Sequence, residues 1–126
     1  MVRGYAGGMS APDDHAPGLH LILDLYGVSE LEDEAAIDAA LTGAAKAAGA
    51  TVLAHHFHHF GTGHGVTGVV LLAESHMSIH TWPERGYAAI DIFMCGRTNA
   101  QAAADHLVAL FAPERVVRTE LSRGQS

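Results

Sequence analysis

The sequence predicts an α+β fold, a two-layer sandwich in which an antiparallel β-sheet is covered on one face by two α-helices. Two observations carry that prediction. Several short runs alternate apolar with polar residues, as strands with one buried face do, while two stretches repeat apolar residues at helical spacing. Their order, β-α-β-β-β-β-α-β, puts four strands in succession between the helices, and the short links between them favour antiparallel pairing. At 126 residues the chain can bury one modest core. Residues 18–126 therefore read as a single domain behind an N-terminal stretch, Met1–Pro17. That stretch lacks an apolar signal-peptide core, is rich in Gly, Pro and Asp, and reads as a mobile tail.

The first strand is expected at His20–Tyr26, with Leu21, Leu23 and Leu25 on one face and His20, Asp24 and Tyr26 on the other. Ser29-Glu-Leu-Glu32 has the pattern of a capping box, after which Ile37, Ala40, Leu41, Ala44 and Ala48 follow helical spacing until Gly49. Thr51–Phe60 and Val66–Ala73 read as a hairpin around Gly61-Thr-Gly-His-Gly65. Ser78–Trp82 and Tyr87–Cys95 read as a second antiparallel pair, joined by Pro83-Glu-Arg-Gly86. Thr98-Asn-Ala-Gln101 offers another capping box for a helix with its apolar stripe at Ala100, Ala103, Ala104, Leu107, Leu110 and Phe111, stopped before Pro113. Val116–Leu121 is the last strand.

Charge and composition exclude several functions. Lys+Arg 7 against Asp+Glu 14 gives a net charge of −7, which disfavours nucleic acid and suits a cationic small molecule. No run is long and apolar enough to span a membrane. Cys95 is the only cysteine, so no intrachain disulfide can form, in keeping with a reducing cytoplasm. Lys46 is the only lysine and falls on the outer part of the first helix. Pyridoxal phosphate, which is held as a Schiff base to lysine, is therefore not expected.

The chemistry centres on Leu72-Ala-Glu-Ser-His-Met-Ser-Ile-His-Thr-Trp-Pro-Glu84. Ser75 follows Glu74 directly and could attack a substrate or its own preceding peptide carbonyl; spacing alone leaves purely structural roles for Ser75 and His80 open as well. No Gly-x-Ser-x-Gly elbow surrounds it, which argues against a hydrolase. If the Trp82–Tyr87 connection is centred near Glu84–Arg85, facing residues have numbers summing to about 170, and Ser75 comes beside Cys95. Two-residue alternation puts His80 on the opposite face from Ser75, so a bulge or a chain break would be needed for both to serve one site. His55, His56, His58, His59 and His64 suggest a metal-binding module, but alternation splits them between two faces and no Cys-x-x-Cys or His-Glu-x-x-His pattern accompanies them; no metal is expected.

Ala73-Glu-Ser-His-Met-Ser-Ile-His-Thr-Trp-Pro-Glu84 followed by Gly86-Tyr-Ala-Ala-Ile-Asp-Ile-Phe-Met-Cys-Gly96 closely resembles the prokaryotic S-adenosylmethionine decarboxylase proenzymes. The likeness extends to His20–Leu25, Ala47–Thr51, Phe57–Phe60 and Gly65–Gly68. It implies self-cleavage at Glu74–Ser75 into a β chain, residues 1–74, and an α chain, residues 75–126, with Ser75 becoming a pyruvoyl group that forms a Schiff base with the substrate amine. By the same resemblance Cys95 is the proton donor in catalysis and His80 the proton acceptor in processing. Thr67 stands where the family usually has a serine that assists the acyl shift. Phe60 and His80 would flank the adenine ring and Glu84 would bind the ribose. The resemblance further implies a cytoplasmic homodimer with sites shared between protomers, supplying an aminopropyl donor for spermidine synthesis without putrescine activation. Two departures from the family pattern, Leu19 before His20 and the Gly61–Gly65 turn, leave arginine or ornithine as alternative substrates for the same chemistry.

Overall fold

The computed structural model describes residues 17–124, so the tail expected at Met1–Pro17 lies, apart from Pro17, outside the described residues. The elements are β1 (Gly18–Tyr26), α1 (Glu34–Ala47), β2 (Val52–His59), β3 (Val66–Leu72), β4 (Ser75–Trp82), β5 (Tyr87–Cys95), α2 (Ala100–Phe111) and β6 (Arg115–Arg123). The strands form one six-stranded sheet in the order β2-β3-β4-β5-β1-β6, and every neighbouring pair is antiparallel.

Alternation decides which face is covered. Leu21, Leu23 and Leu25 of β1, Met77 and Ile79 of β4, and Ile90, Ile92 and Met94 of β5 are fully buried with Ile37, Leu41, Ala103 and Leu107 of the helices. Burying that much aliphatic surface is the main stabilising term. The intervening residues of each strand form a second face with no helix upon it, and there Phe60, Val69, Leu71, Trp82, Val117 and Leu121 are exposed. Leu71 and Phe60 are 51% and 58% exposed, and what distinguishes them is that they share one face with the others.

Both helices start one or more residues after their expected caps. Asp33, not Ser29, caps α1, accepting from the Ala36 N–H at 3.0 Å, because Glu30 adopts a left-handed φ of 59° that a helix cannot include. Glu32, expected within the capping box, instead accepts from the Gly63 N–H at 2.8 Å. Asn99, not Thr98, caps α2 through Ala102, which frees Thr98 to bond the Cys95 carbonyl at 3.0 Å. Gly49 ends α1 as expected: with φ 77° it lets its own N–H reach the Lys46 carbonyl and the Ala50 N–H reach the Ala45 carbonyl. The fourth strand starts at Ser75 and not at Ser78, because Ser75, His76 and Met77 are already paired with β3.

A buried polar knot ties the start of β3 to β4 and to the segment before α1. Thr81, 6% exposed, accepts from the Val66 N–H and donates to the Leu31 carbonyl, both at 2.8 Å. Gly65 passes so close that a Cβ there would lie 1.9 Å from the Thr81 carbonyl oxygen. Thr81→Val keeps the shape but strands a buried donor and a buried acceptor, so urea unfolding should show a loss of about 2 kcal/mol or more. A loss within the scatter of ordinary surface substitutions would show that the knot contributes little.

Candidate active site

Ser75 opens β4 immediately after the two-residue turn Ala73–Glu74, with Leu72 of β3 facing it. Within that turn Glu74 has φ 62°. A residue with a Cβ is strained there by about 1 kcal/mol or more, so the Glu74–Ser75 peptide follows a strained residue. Ser75 is buried at 6% exposure, and its Oγ accepts from the Cys95 N–H at 3.1 Å. Because this bond uses an oxygen lone pair, it leaves the hydroxyl proton free to move.

The register of β4 with β5 pairs His76 with Phe93 and Trp82 with Tyr87, numbers that sum to 169. The expected meeting of Ser75 with Cys95 therefore occurs, but through the Cys95 backbone. Side chains alternate, so the Ser75 hydroxyl shares the helix-covered face with Met77, while the Cys95 thiol shares the bare face with Asp91 and Phe93. The Cys95 Sγ lies 3.9 Å from the Thr98 hydroxyl, and Cys95, Glu74, His76, Phe93 and Arg123 line a cavity of about 560 Å³ open on the bare face.

The other expected residues gather elsewhere. Phe60, Thr67, His80 and Glu84 line a second cavity of about 300 Å³ with His64 and Trp82. Here Thr67 Oγ1 and His80 Nδ1 are 3.1 Å apart, as cross-strand partners of β3 and β4. His80 follows Ser75 by five residues in a strand paired without a bulge to both neighbours, which places the two residues roughly 16 Å apart. Within one chain His80 and Thr67 do not meet Ser75. They do share the bare face with Cys95.

The histidine run divides as alternation requires. His55 bonds Asp38 of α1 at 2.8 Å, and His59 bonds the His64 carbonyl at 3.1 Å and lies 3.6 Å from Glu32. His58 lies on the other face, edge to face with Phe60. Among the described residues, no three of His, Cys, Asp and Glu group as a metal site.

Two features were not read from the sequence. His76 stacks on Phe93 with ring centroids 5.7 Å apart, and Phe93 in turn sits over Gly18, where a Cβ would meet its ring at 2.6 Å. Phe93 alternates with Cys95 along β5 and His76 faces Phe93 from β4, a signal that alternation and register already held. A ladder of rings also crosses the bare face: Arg115 lies 4.0 Å over Tyr26, Tyr26 stacks on Tyr87 at 5.1 Å, and Tyr87 stacks on Trp82 at 5.1 Å. It ends beside His80. The register that builds this ladder joins residues far apart in the chain.

Tyr87 donates to Asp24 at 2.6 Å; that hydrogen bond, then burial and the Asp24 charge, push its phenol up to about 12 from 10.0. A pKa raised on folding stabilises the protonated form, so the contribution is complete below pH 10 and is lost as pH climbs through 12. Phenolate absorbance should show one tyrosine titrating near 12, moving back toward 10 in Asp24→Ala. An unmoved midpoint would show that Asp24 does not hold the proton.

Comparison with known proteins bears on this site. The family profile for S-adenosylmethionine decarboxylase matches residues 19–124. An S-adenosylmethionine decarboxylase proenzyme of Sulfurihydrogenibium is 44% identical over 110 residues, spanning 85% of this chain and 82% of that protein. One from Synechococcus is 55% identical over 93 residues, spanning 71% and 72%. The crystal structure of the adenosylmethionine decarboxylase from Aquifex aeolicus superposes with a TM-score of 0.78 at 41% identity, covering 87% of this chain and 92% of that one.

Proposed function

The chain belongs to the S-adenosylmethionine decarboxylase family, and on that premise we propose that its catalytic group is made at Glu74–Ser75 and that a second copy completes each site. The protein is an S-adenosylmethionine decarboxylase proenzyme, which processes itself and then releases the carboxylate of S-adenosylmethionine as carbon dioxide. Its product is the aminopropyl donor of spermidine synthesis. The matched relatives are named for S-adenosylmethionine, which favours it over arginine or ornithine as substrate. A net charge of −7 suits the sulfonium cation, and a lone cysteine suits a cytoplasmic setting.

Ser75 fits the origin of the pyruvoyl group on which the family depends. Its hydroxyl is held beside a strained peptide, and attack on the Glu74 carbonyl forms a C–O bond while the C–N bond breaks, the hydroxyl proton passing to nitrogen. The resulting ester then loses the Ser75 Cα proton to a base, the Glu74 carboxylate departs, and water replaces the nitrogen, released as ammonia. A pyruvoyl group supplies a ketone that binds the substrate amine and draws off the electrons freed with carbon dioxide. Cys95 donates the proton that the substrate carbon then needs.

The base is His80 of a second copy, with Thr67 bonded to it. The observation that carries this reading is the separation of Ser75 from His80 by roughly 16 Å along one strand, with the Cys95 cavity and the His80 cavity both opening on the bare face. Two such faces packed about a two-fold axis bring the Phe60–Thr67–His80–Glu84 cluster of one copy toward the Cys95 cavity at the Glu74–Ser75 end of the other. The same packing buries the exposed Leu71, Trp82 and Leu121. Phe60 and His80 then offer faces to the adenine ring and Glu84 accepts from the ribose hydroxyls.

Ser75→Ala and His80→Ala should each be inactive alone. Co-expressed, they should recover roughly a quarter of wild-type carbon dioxide release from S-adenosylmethionine, since half the dimers would hold one intact site of two. No recovery would mean that each chain uses its own His80. Cys95→Ala should still be cut in two yet lose about a hundredfold or more in decarboxylation; an uncut Cys95→Ala chain would reverse the assignment.

A further inference from the structure

Protonation by Cys95 leaves a thiolate that must regain a proton before the next substrate is processed. Among the residues of the same chain that line its cavity with it, His76 brings an imidazole, a ring that can both take up and give a proton.

The placement of the ring suits that task. His76 faces Phe93 across the β4–β5 ladder, and Cys95 lies two residues further along β5 on the same face, a diagonal neighbour at about 7–8 Å. Phe93 holds the imidazole plane by stacking at 22°, and Phe93 is itself edge-on to His20, whose Nε2 lies 3.0 Å from Asp91. Among the described residues neither His76 nitrogen is taken by a hydrogen bond, and the side chain is exposed at the cavity mouth.

Resting on Cys95 as the proton donor, we infer that His76 returns a proton to the Cys95 thiolate between turnovers. The Cys95 S–H bond breaks as the new substrate C–H bond forms; an N–H of the His76 imidazolium then breaks as S–H re-forms, directly or through one water. The neutral ring takes its next proton from solvent. His76 acts on the reacting thiol, not on the substrate.

The test uses full-length wild type, His76→Gln, His76→Asn and Cys95→Ala, with rates divided by the cleaved fraction read from intact mass. In both His76 variants, first-turnover carbon dioxide release should stay within about twofold of wild type, while later turnovers slow by about tenfold or more and recover with added imidazole. Iodoacetamide labelling of Cys95, read by mass, should be faster during turnover than at rest in these variants and unchanged in wild type. Equal slowing of first and later turnovers, unslowed later turnovers, labelling indifferent to turnover, or failure of both variants to be cut would each overturn the inference. Correct first-turnover protonation in Cys95→Ala would instead sink the donor assignment beneath it.

Discussion

The hydrogen bond from the Cys95 N–H to the Ser75 Oγ is the constraint on which the proposed chemistry of this protein rests. It joins the last residue of β5 to the first of β4 and fixes a buried hydroxyl directly beyond a turn whose second residue, Glu74, is left-handed. A two-residue hairpin turn of this hand matches the twist of its strands poorly, and the strain sits on Glu74, the residue whose carbonyl Ser75 would attack. Position and strain act together on one bond. Thr98, released from its expected capping role, holds the Cys95 carbonyl and so secures the donor side of the same contact.

Sheet order explains how such a bond can be cut without loss of the fold. A break at Glu74–Ser75 would leave β1, β2 and β3 on one chain and β4, β5 and β6 on the other. In the order β2-β3-β4-β5-β1-β6 these strands interleave, so three of the five ladders, β3–β4, β5–β1 and β1–β6, would join different chains. β1, with Leu21, Leu23 and Leu25 wholly buried, would be clasped on both edges by the second chain. Cleavage then frees a terminus at residue 75 and little else, which is what a buried group needs if it is to change its chemistry in place.

Much of the architecture was legible because alternation and helical spacing are local. All six strands and both helices exist in the order the apolar pattern gave, though the fourth strand begins three residues early and Leu110 falls outside the buried stripe of α2, and the hairpin register brought Ser75 to Cys95 to within one residue. The caps were not legible: Ser29-Glu-Leu-Glu32 and Thr98-Asn-Ala-Gln101 have capping-box composition, but a tertiary partner, the Gly63 N–H, claims Glu32, and the Cys95 carbonyl three residues back claims Thr98. The separation of Ser75 from His80 followed from alternation alone. Thr81, which bridges Leu31 and Val66, and the ladder from Arg115 to Trp82 depend on contacts across the sheet that no local pattern encodes. The proposed division of the site between two copies is harder still to read, because its two halves would belong to different chains.

The account stands on a covalent change, and the most direct measurement is the intact mass of the freshly purified protein before and after borohydride. Two polypeptides ending at Glu74 and beginning at residue 75 are predicted, the second blocked to amino-terminal sequencing and gaining hydride at its new terminus. One uncut chain that decarboxylates S-adenosylmethionine at full rate, with no reducible carbonyl, would contradict it.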